Sequence, residues 1–587
     1  MTALLVSGLQ ASGLQAASNA CVGQDQICTA FNSIHIPIQY RAIAPVMVLG
    51  IGALVLLVVS AVLPKRSRPG LYASLTALIG VISAVVCAFE WTDINNHGPI
   101  INAVGSQIIY DHFSILIYLL VSVATILGAL TADHYLVREG LDGVEPYVLM
   151  LMAGLGAMLM AASGGTVMLF LGLEIMSIAL YVMTAYHRRR TASGEAGLKY
   201  FILGSFSSAI FLYGAALAYG ATGSTQFSDM SSFLAANTIP NDGVLLAGMI
   251  LLIIGLGFKV AAVPFHFWTP DVYQGAPTPF TGYMAAVAKA AGFAGLVRIL
   301  VQGFASQQAN WRPVIWLLAV LTLLLGSVLA IVQRDLKRML AYSSISQAGY
   351  VLIGLQAGSA RGVAGVGFYL FTYTFIIAGT FAVLQLIQGR SEGRNDLGAI
   401  RGLARRSPLL AFAMMILLLA QAGVPLTSGF LAKFYVIQAA VNKGQYPLAV
   451  IGMLAAAIAA FFYLRIALLM YSSPSAEASE PTDGILTAGL TESGTIHHGL
   501  TNRLLASAGM GQEADVPAGA SPGPGAVAAA AAGNGGAEAT ALLPPAEGKV
   551  DVPPAMGLVI AVCAVFTVFA GVVPWIVDLA RHATLAF

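Results

Sequence analysis

Four ionisable side chains lie inside strongly apolar stretches of this sequence: Glu174, Lys259, Lys289 and Lys433. Burial disfavours the charged form of a lysine and a nearby carboxylate favours it, so a buried lysine changes protonation when a neighbouring charge moves. Several such groups in succession form a proton relay. The alternative interpretation is a set of structural ion pairs, but three lysines and one glutamate cannot neutralise one another as pairs. The pattern therefore favours proton transfer.

The composition indicates which solvent surrounds these residues. Only 9% of the 587 residues are charged and 58% are hydrophobic, whereas soluble domains contain about 25% charged residues. The net charge is +2 and no dense basic patch occurs, so we expect a lipid bilayer around the chain and no nucleic-acid partner. None of the four cysteines forms a C-x-x-C pair, and we therefore expect no metal or cofactor bound by this chain.

Apolar runs of about 20 residues, each long enough to cross a hydrocarbon core of about 30 Å, recur along the chain. They predict an all-α polytopic membrane protein with about fourteen transmembrane helices. The predicted spans are 43–63, 71–91, 109–132, 147–163, 166–186, 197–220, 243–263, 278–302, 312–332, 337–356, 363–388, 408–441, 447–471 and 556–579. The twelfth run is too long for one crossing, and Gly423, Pro425 and Ser428-Gly429 predict an interruption within it.

The distribution of basic residues between loops predicts the orientation, since cytoplasmic loops carry an excess of Lys and Arg. With a non-cytoplasmic N-terminus, four basic residues lie in the outer loops: Arg41, Arg312, Arg361 and Lys443. Sixteen lie in the cytoplasmic loops: Lys65, Arg66, Arg68, Arg138, Arg188, Arg189, Arg190, Lys199, Arg334, Lys337, Arg338, Arg390, Arg394, Arg401, Arg405 and Arg406. We therefore expect a multi-pass protein of a bacterial inner membrane with both termini non-cytoplasmic.

Prolines next to two of the buried lysines predict broken helices. Pro264 follows Lys259, and Pro425 precedes Lys433. A carbonyl freed by proline inside a membrane is tolerated only against protein or internal water. The opposite order of lysine and break is what an inverted repeat produces, so we predict two inverted five-helix repeats. His266 lies at the first break, where both a relay role and an ordinary hydrogen-bonding role stay open.

These patterns divide the chain into six predicted segments. A non-cytoplasmic N-terminal extension (1–42) precedes three helices (43–146), a first repeat of helices 4–8 (147–302) and a second repeat of helices 9–13 (303–471). An Ala/Gly/Pro-rich stretch (472–554) is predicted to be a disordered cytoplasmic linker, because it has too few apolar residues for a core. The last helix occupies 555–587. Cys21 and Cys28 are close enough in sequence for a disulfide or are two free thiols.

Two longer motifs carry a family resemblance. The runs Gly257–Pro279 and Arg334–Ser346 resemble the signatures of the antiporter-like membrane subunits of respiratory complex I, the proton-pumping NADH:quinone oxidoreductase. Within that family, Leu171–Tyr181 resembles the subunit N branch. Lys433 agrees with that branch, because subunit M typically has a glutamate in the second broken helix. Subunit L usually continues into a long lateral helix, whereas the sequence given stops at Phe587.

The resemblance implies a function and a role for each buried charge. It implies a proton-translocating subunit in which Glu174 and Lys259 form a switch pair and Lys289 is the central relay. Lys433 would be the terminal proton donor or acceptor, and His266 would tune the path. NADH, FMN, iron–sulfur clusters and quinone would belong to other subunits of the complex, and the neighbouring antiporter-like subunit would be the main partner.

One departure and two alternatives accompany this interpretation. Many relatives carry a histidine where this chain has Gln347, and a neutral amide orders water but holds no charge. A subunit of a multi-subunit sodium/proton antiporter would share the same lysine and break motifs. A membrane scaffold without transport would tolerate replacement of the buried charges.

Overall fold

The computed structural model describes residues 38–63, 70–100, 103–237, 242–389, 392, 395–472, 549–573, 582 and 585. Residues 1–37 of the predicted N-terminal extension, with Cys21 and Cys28, and nearly all of the predicted linker lie outside these residues. The part of the chain that the structure describes is all-α, with isolated β-bridges and no extended strand. It therefore has the predicted fold class.

Eighteen α-helices occur in the described residues, and they are numbered here in chain order. The first nine are α1 Tyr40–Val62, α2 Leu71–His97, α3 His112–Glu139, α4 Glu145–Ala161, α5 Thr166–Thr184, α6 Thr191–Thr222, α7 Phe227–Ala236, α8 Gly243–Val260 and α9 Trp268–Gly275. The others are α10 Thr278–Val297, α11 Gln308–Ile331, α12 Leu336–Gln356, α13 Ala360–Gln388, α14 Leu403–Arg406, α15 Pro408–Ala422, α16 Ser428–Val441, α17 Tyr446–Tyr471 and α18 Pro554–Val572.

Eleven helices of the described residues are long and apolar enough to cross a membrane. Three shorter apolar helices, α4, α15 and α16, lie between them. Helix α12 is not among the eleven, and its sequence includes Lys337, Arg338 and several serines and glutamines. The protein is therefore a multi-pass membrane protein, and the count of fourteen spans stays a prediction.

Polar residues at or near the ends of the apolar runs define where several helices begin. Asp111 accepts a hydrogen bond from Ser114 N at the start of α3, and Asp335 accepts one from Arg338 N at the start of α12. Ser359 does the same at α13 through Gly362 N. Such side chains satisfy backbone donors that have no partner in the first helical turn.

Both predicted interruptions are present. Helix α8 ends at Val260, and Ala261 adopts a left-handed conformation with φ of 60° before the short helix α9 begins. The second interruption separates α15 from α16, and it includes Gly423 with φ of 91°. Glycine adopts this conformation without the steric cost that other residues incur, so Gly423 fits the end of α15.

Several helix pairs of the described residues approach closely through glycine, and two of them correspond in position between the predicted repeats. In α4 and α5, a Cβ atom on Gly156 would lie 2.4 Å from Met176 N, and one on Gly172 would lie 2.8 Å from Gly156 O. In α11 and α12, a Cβ atom on Gly326 would lie 2.6 Å from Ser346 N. Small residues permit such backbone contact in membranes, where dispersion between closely packed helices contributes much of the association energy. The same kind of pair thus opens each predicted repeat, while the inverted relationship stays a prediction.

Helix α10 lies at the centre of the helical assembly. Every one of its residues is buried, and it packs against α3, α4, α8 and α13. Helices on the periphery, such as α1 and α2, expose large apolar side chains, as expected for contact with lipid. Lys289 therefore lies on the helix that is most completely enclosed by protein.

We predict that Gly156→Val destabilises the fold, because the added side chain meets the backbone of α5 and forces the helices apart. Overpacking of this kind costs about 1–3 kcal/mol or more. The measurement is the thermal unfolding midpoint of the purified protein in detergent. Gly220→Val is the matched control, since a Cβ atom at Gly220 has no atom within 4 Å. Equal midpoints for the two variants would contradict the proposed contact.

Candidate functional site: a row of buried lysines

Lys289 lies near the middle of α10, and its ammonium group points toward α12. The side chain is buried, and Nζ donates a hydrogen bond to Ser344 O. The ammonium also lies 5.8 Å from the centre of the Tyr373 ring. Tyr373 OH donates to Ser344 Oγ at 2.8 Å, so the lysine and the tyrosine meet at the same serine. Lys289 thus contacts the second predicted repeat.

Lys259 lies in the last turn of α8, directly before the first break. Its buried Nζ donates to Tyr181 OH at 3.3 Å. The ammonium lies 5.0 Å from the centre of the Tyr181 ring and 5.1 Å from that of Tyr200. Aromatic faces attract a cation through the ring quadrupole, by about 2 kcal/mol when water is excluded. Tyrosines, and not a carboxylate, therefore form the immediate surroundings of this lysine.

Backbone groups at the first break find partners inside the protein. Trp268 Nε1 donates to Phe258 O at 2.9 Å, and Val263 N donates to Thr322 Oγ1 at 2.9 Å. Thr322 belongs to α11, so a hydroxyl of the second predicted repeat holds the interruption in the first. This arrangement meets the requirement that irregular backbone in a membrane be satisfied by protein or water.

Glu174 lies on α5, two helical turns before Tyr181 and on the same face. The side chain is partly buried, and its buried Oε1 has no hydrogen-bond partner among the described residues. No described carboxylate lies within the 4.0 Å ion-pair distance of Lys259. The switch pair implied by the resemblance is therefore not in direct contact here, and Tyr181 OH occupies the position beside the ammonium.

His266 lies within the first break, where the sequence predicts it. The residue is 7% exposed and packs beside the Phe267 ring. Its Nδ1 is buried and accepts or donates no hydrogen bond among the described residues. The structure therefore places His266 close to the break, but it does not join it to the three lysines by hydrogen bonds. Its role as a tuning residue stays a prediction.

Lys433 lies in α16 and reaches back across the second break. Its buried Nζ donates to Gln421 O at 2.7 Å and to Ala422 O at 2.9 Å. These carbonyls belong to the last turn of α15, where helical partners are missing and the helix dipole is negative. The lysine therefore caps the first half of the broken helix with a positive charge, which explains the position of a lysine directly after the interruption.

A chain of neutral polar groups connects the second break to α12. Gln347 Nε2 donates to Gln421 O at 3.0 Å and to Tyr463 OH at 2.9 Å, and Gln347 Oε1 accepts from Tyr369 OH. Gln421 O is also an acceptor for Lys433. Gln347 and Lys433 thus donate to the same carbonyl oxygen, and the amide of Gln347 is part of the hydrogen-bond network around Lys433. Sequence reasoning noted Gln347 only as a departure.

Two buried ion pairs were missed by sequence reasoning. Arg298 Nη2 and Nη1 donate to Asp111 Oδ1 and Oδ2 at 2.7 and 2.8 Å, and both side chains are buried. Both residues lie inside predicted spans, and the apolar surroundings of Arg298 were the available signal. Arg298 Nε also donates to Ala161 O at 2.8 Å. This pair joins the C-terminal end of α10 to α3 and α4.

The second pair corrects the assignment of Lys337 to a cytoplasmic loop. Lys337 is buried in the first turn of α12, and its Nζ lies 2.9 Å from Glu392 Oε2. Arg190 Nη1 lies 2.7 Å from the same oxygen. Burial alone would raise the pKa of Glu392, but the two cations outweigh burial and lower that pKa to about 2. Hydropathy places Lys337 and Glu392 at or near the ends of predicted spans, where the sequence does not distinguish a buried ion pair from solvated charges.

The three lysines differ from the cations of the ion pairs in their partners. Asp111 and Glu392 each contact a basic residue, whereas no described carboxylate lies within 4.0 Å of Lys259, Lys289 or Lys433. Each of the three donates instead to a hydroxyl or a carbonyl oxygen. Uncompensated lysines beside two interrupted helices, in an all-α membrane fold, define the antiporter-like class of membrane proteins.

Comparisons with known proteins agree with this class. Residues 163–459 match the family described as NADH:quinone oxidoreductase/Mrp antiporter, TM. NADH-quinone oxidoreductase subunit N of Trichlorobacter lovleyi is 40% identical over 75% of this chain and 89% of its own length. Subunit N of Parvibaculum lavamentivorans is 40% identical over 79% of this chain and 94% of its own length. The chain belongs to the family of NADH-quinone oxidoreductase N subunits.

Two solved structures show the same fold. A chain of respiratory complex I from Thermus thermophilus with bound aureothin is 34% identical and has a TM-score of 0.62. The match covers 73% of this chain and 90% of the Thermus chain. A chain of the Mrp complex from Dietzia sp. DQ12-45-1b covers 93% of this chain and 97% of its own, with a TM-score of 0.72. At 20% identity, this second likeness concerns the fold alone.

We predict that Asp111→Asn strongly reduces the amount of assembled protein, because Arg298 is left as a buried cation without a carboxylate. Removal of one partner of a buried ion pair costs about 3–5 kcal/mol. The measurement is the amount of complex in solubilised membranes, with Asp229→Asn as a control at an exposed position. Adding Arg298→Met to Asp111→Asn should restore part of the loss. Wild-type amounts of the single variant would refute the explanation.

Proposed function

We propose that this chain translocates protons as a membrane subunit of an NADH:quinone oxidoreductase, with Lys259, Lys289 and Lys433 as the relay. The observation that carries the proposal is the set of three buried lysines without an adjacent carboxylate. A charge at the bilayer centre costs at least about 2.5–3.5 kcal/mol on insertion scales. Lysines kept at that cost, and not used for ion pairs, fit groups that gain and lose protons.

The contacts of the lysines suit proton exchange. An ammonium donates charge-assisted hydrogen bonds to a tyrosine hydroxyl or a backbone carbonyl, and the neutral amine can donate only weaker, uncharged ones. Loss of the proton removes the charge and weakens the contact, so the side chain can move toward water. Gln347, Tyr369 and Tyr463 order the space between Lys433 and α12, and their hydroxyl and amide groups can orient intervening water. Glu174 stabilises the protonated form of Lys259 across Tyr181 when its carboxylate is ionised.

Electron transfer takes place elsewhere in this proposal. NADH, FMN, iron–sulfur clusters and quinone belong to other subunits of the complex, and the neighbouring antiporter-like subunit is the adjacent partner. Moving one charge outward against 100 mV costs about 2.3 kcal/mol, which the redox reaction must supply. The location is a bacterial inner membrane with both termini non-cytoplasmic, as the loop charges predict.

A sodium/proton antiporter subunit is the second candidate function. The family description that matches this chain, NADH:quinone oxidoreductase/Mrp antiporter, supports it. The 34% identity to the Thermus complex I chain, against 20% for the Mrp chain, favours the oxidoreductase. Polypeptides that co-purify after mild solubilisation distinguish the two, because only the oxidoreductase brings NADH dehydrogenase subunits.

We predict that Lys259→Ala impairs both proton pumping and coupled quinone reduction in the assembled complex, because the relay loses its proton-binding group at the first break. The measurement is proton uptake by reconstituted vesicles against NADH oxidation, with the amount of complex determined in parallel. Lys443→Ala is the matched control, since Lys443 is exposed in a loop. Normal pumping by a normally assembled Lys259→Ala complex would exclude the relay role.

We predict that Lys433→Glu pumps worse than Lys433→Arg, and that both pump worse than wild type. A carboxylate at this position would face Gln421 O and Ala422 O, which are acceptors and repel it. Arginine can donate to both carbonyls but hardly releases its proton. The measurement is again the ratio of protons taken up to NADH oxidised. Wild-type pumping by Lys433→Glu would show that the sign of the charge does not matter here.

A further inference from the structure

Glu392 contacts groups from distant parts of the chain. It lies in the connection after α13 and is buried, and Oε2 accepts from Lys337 and Arg190. Oε1 accepts from Thr278 N at 2.7 Å. Thr278 Oγ1 lies 2.7 Å from this oxygen and 2.6 Å from Gln388 Oε1, and it donates to one of them at a time. The carboxylate therefore has strong donors on both oxygens.

The backbone conformation of Glu392 is unfavourable, which indicates that the bonds to its side chain hold the residue in place. Its φ is 50°, a left-handed conformation that costs a residue with a Cβ atom about 1–2 kcal/mol. Such conformations persist where the surroundings hold them in place. The following segment is also bound to α12, because Leu336 N donates to Asn395 O and Leu397 N donates to Arg334 O. Glu392 and residues 395–397 are thus bound at the start of α12.

The donors of Glu392 join the two predicted repeats. Thr278 begins α10, and Lys337 lies in the first turn of α12. Lys337 Nζ also donates to Ala276 O, two residues before α10 begins. The Lys337–Glu392 pair therefore holds the beginnings of α10 and α12 together.

The same two helices meet again at Lys289. That residue is eleven positions after Thr278, and Ser344 is seven positions after Lys337, which correspond to about 16 and 10 Å along the helices. A lysine donates to a particular carbonyl only when the two helices keep their mutual position along their axes. The contact between Lys289 and Ser344 O thus depends on how the helices are held at their beginnings.

We propose that the Lys337–Glu392 pair is a positioning element of the proton relay, which holds α10 against α12 so that Lys289 reaches Ser344. The pair itself transfers no proton. This inference rests on the proposed relay function, because it concerns the geometry around Lys289. It adds to that function a pair of residues to which the sequence patterns gave no role.

The test compares Lys337→Met, Glu392→Gln and the double variant in the whole complex reconstituted into vesicles. We expect each variant to lower the number of protons taken up per NADH oxidised by most of the share that passes through this chain, since a misplacement near 1 Å can reduce a transfer rate about a hundredfold. The double variant should be no worse than either single variant, because the two residues act as a unit. Glu392→Asp should retain much of the ratio, since it keeps the charge.

Two control variants distinguish failure of the positioning role from failure of the proposed relay. Asp242→Asn replaces an exposed acid in another loop and should leave the ratio unchanged. Lys289→Met tests the relay itself: if it pumps normally, the proposed relay is wrong at this residue, whatever the pair does. If Lys289→Met loses pumping while an assembled Glu392→Gln complex keeps the wild-type ratio, only the positioning role is overturned.

Hydrogen–deuterium exchange provides a second readout. Glu392→Gln should increase exchange in the first turns of α10 and α12, and Asp242→Asn should not. If the single variants and Glu392→Asp all fail to assemble, the pair is needed for folding alone and the positioning proposal is overturned. An additive loss in the double variant would also overturn it, because independent residues would then be involved.

Discussion

The cost of holding a positive charge away from water is the constraint on which this structure depends. Lys259, Lys289 and Lys433 are buried without an adjacent carboxylate, so oxygen atoms and aromatic faces must stabilise their charged forms. Hydroxyls and carbonyls stabilise an ammonium less than a carboxylate does, and they leave the neutral form accessible. The choice of partners therefore separates the three lysines, whose neutral forms stay accessible, from the residues of the buried ion pairs.

The broken helices follow from the same constraint. A helix end provides carbonyls without helical partners, and its dipole is negative. The second break places this end inside the protein, where Lys433 binds two of its carbonyls. At the first break the lysine precedes the interruption and contacts Tyr181 instead. The lysine at the first break thus donates to a tyrosine hydroxyl, whereas the lysine at the second break donates to backbone carbonyls. The two predicted repeats therefore differ in the partners of their lysines.

The sequence predicts those features whose signals lie within a single apolar run. A charge among apolar residues and a proline beside it are local signals, and they located the three lysines, Glu174 and both interruptions. The ion pairs were missed because their partners are remote: Arg298 and Asp111 are 187 residues apart, and Lys337 and Glu392 are 55 apart. Hydropathy also placed Lys337 at a span end, where it was counted among the cytoplasmic loop residues. Tyr181 and Tyr463 gave no signal, since buried tyrosines are common in any membrane protein.

The enclosure of α10 affects the timescale of the motions that are available to Lys289. Arg298 fixes one end of the helix to Asp111 and Ala161 O, and Thr278 N fixes the other end to Glu392. Collective helix shifts take microseconds to milliseconds, whereas side chains change rotamer in picoseconds to nanoseconds when space permits. A helix held at both ends favours the second kind of motion. The central lysine then responds on the timescale of its own side chain and of the water that reaches it, and slower events must arise elsewhere in the assembly.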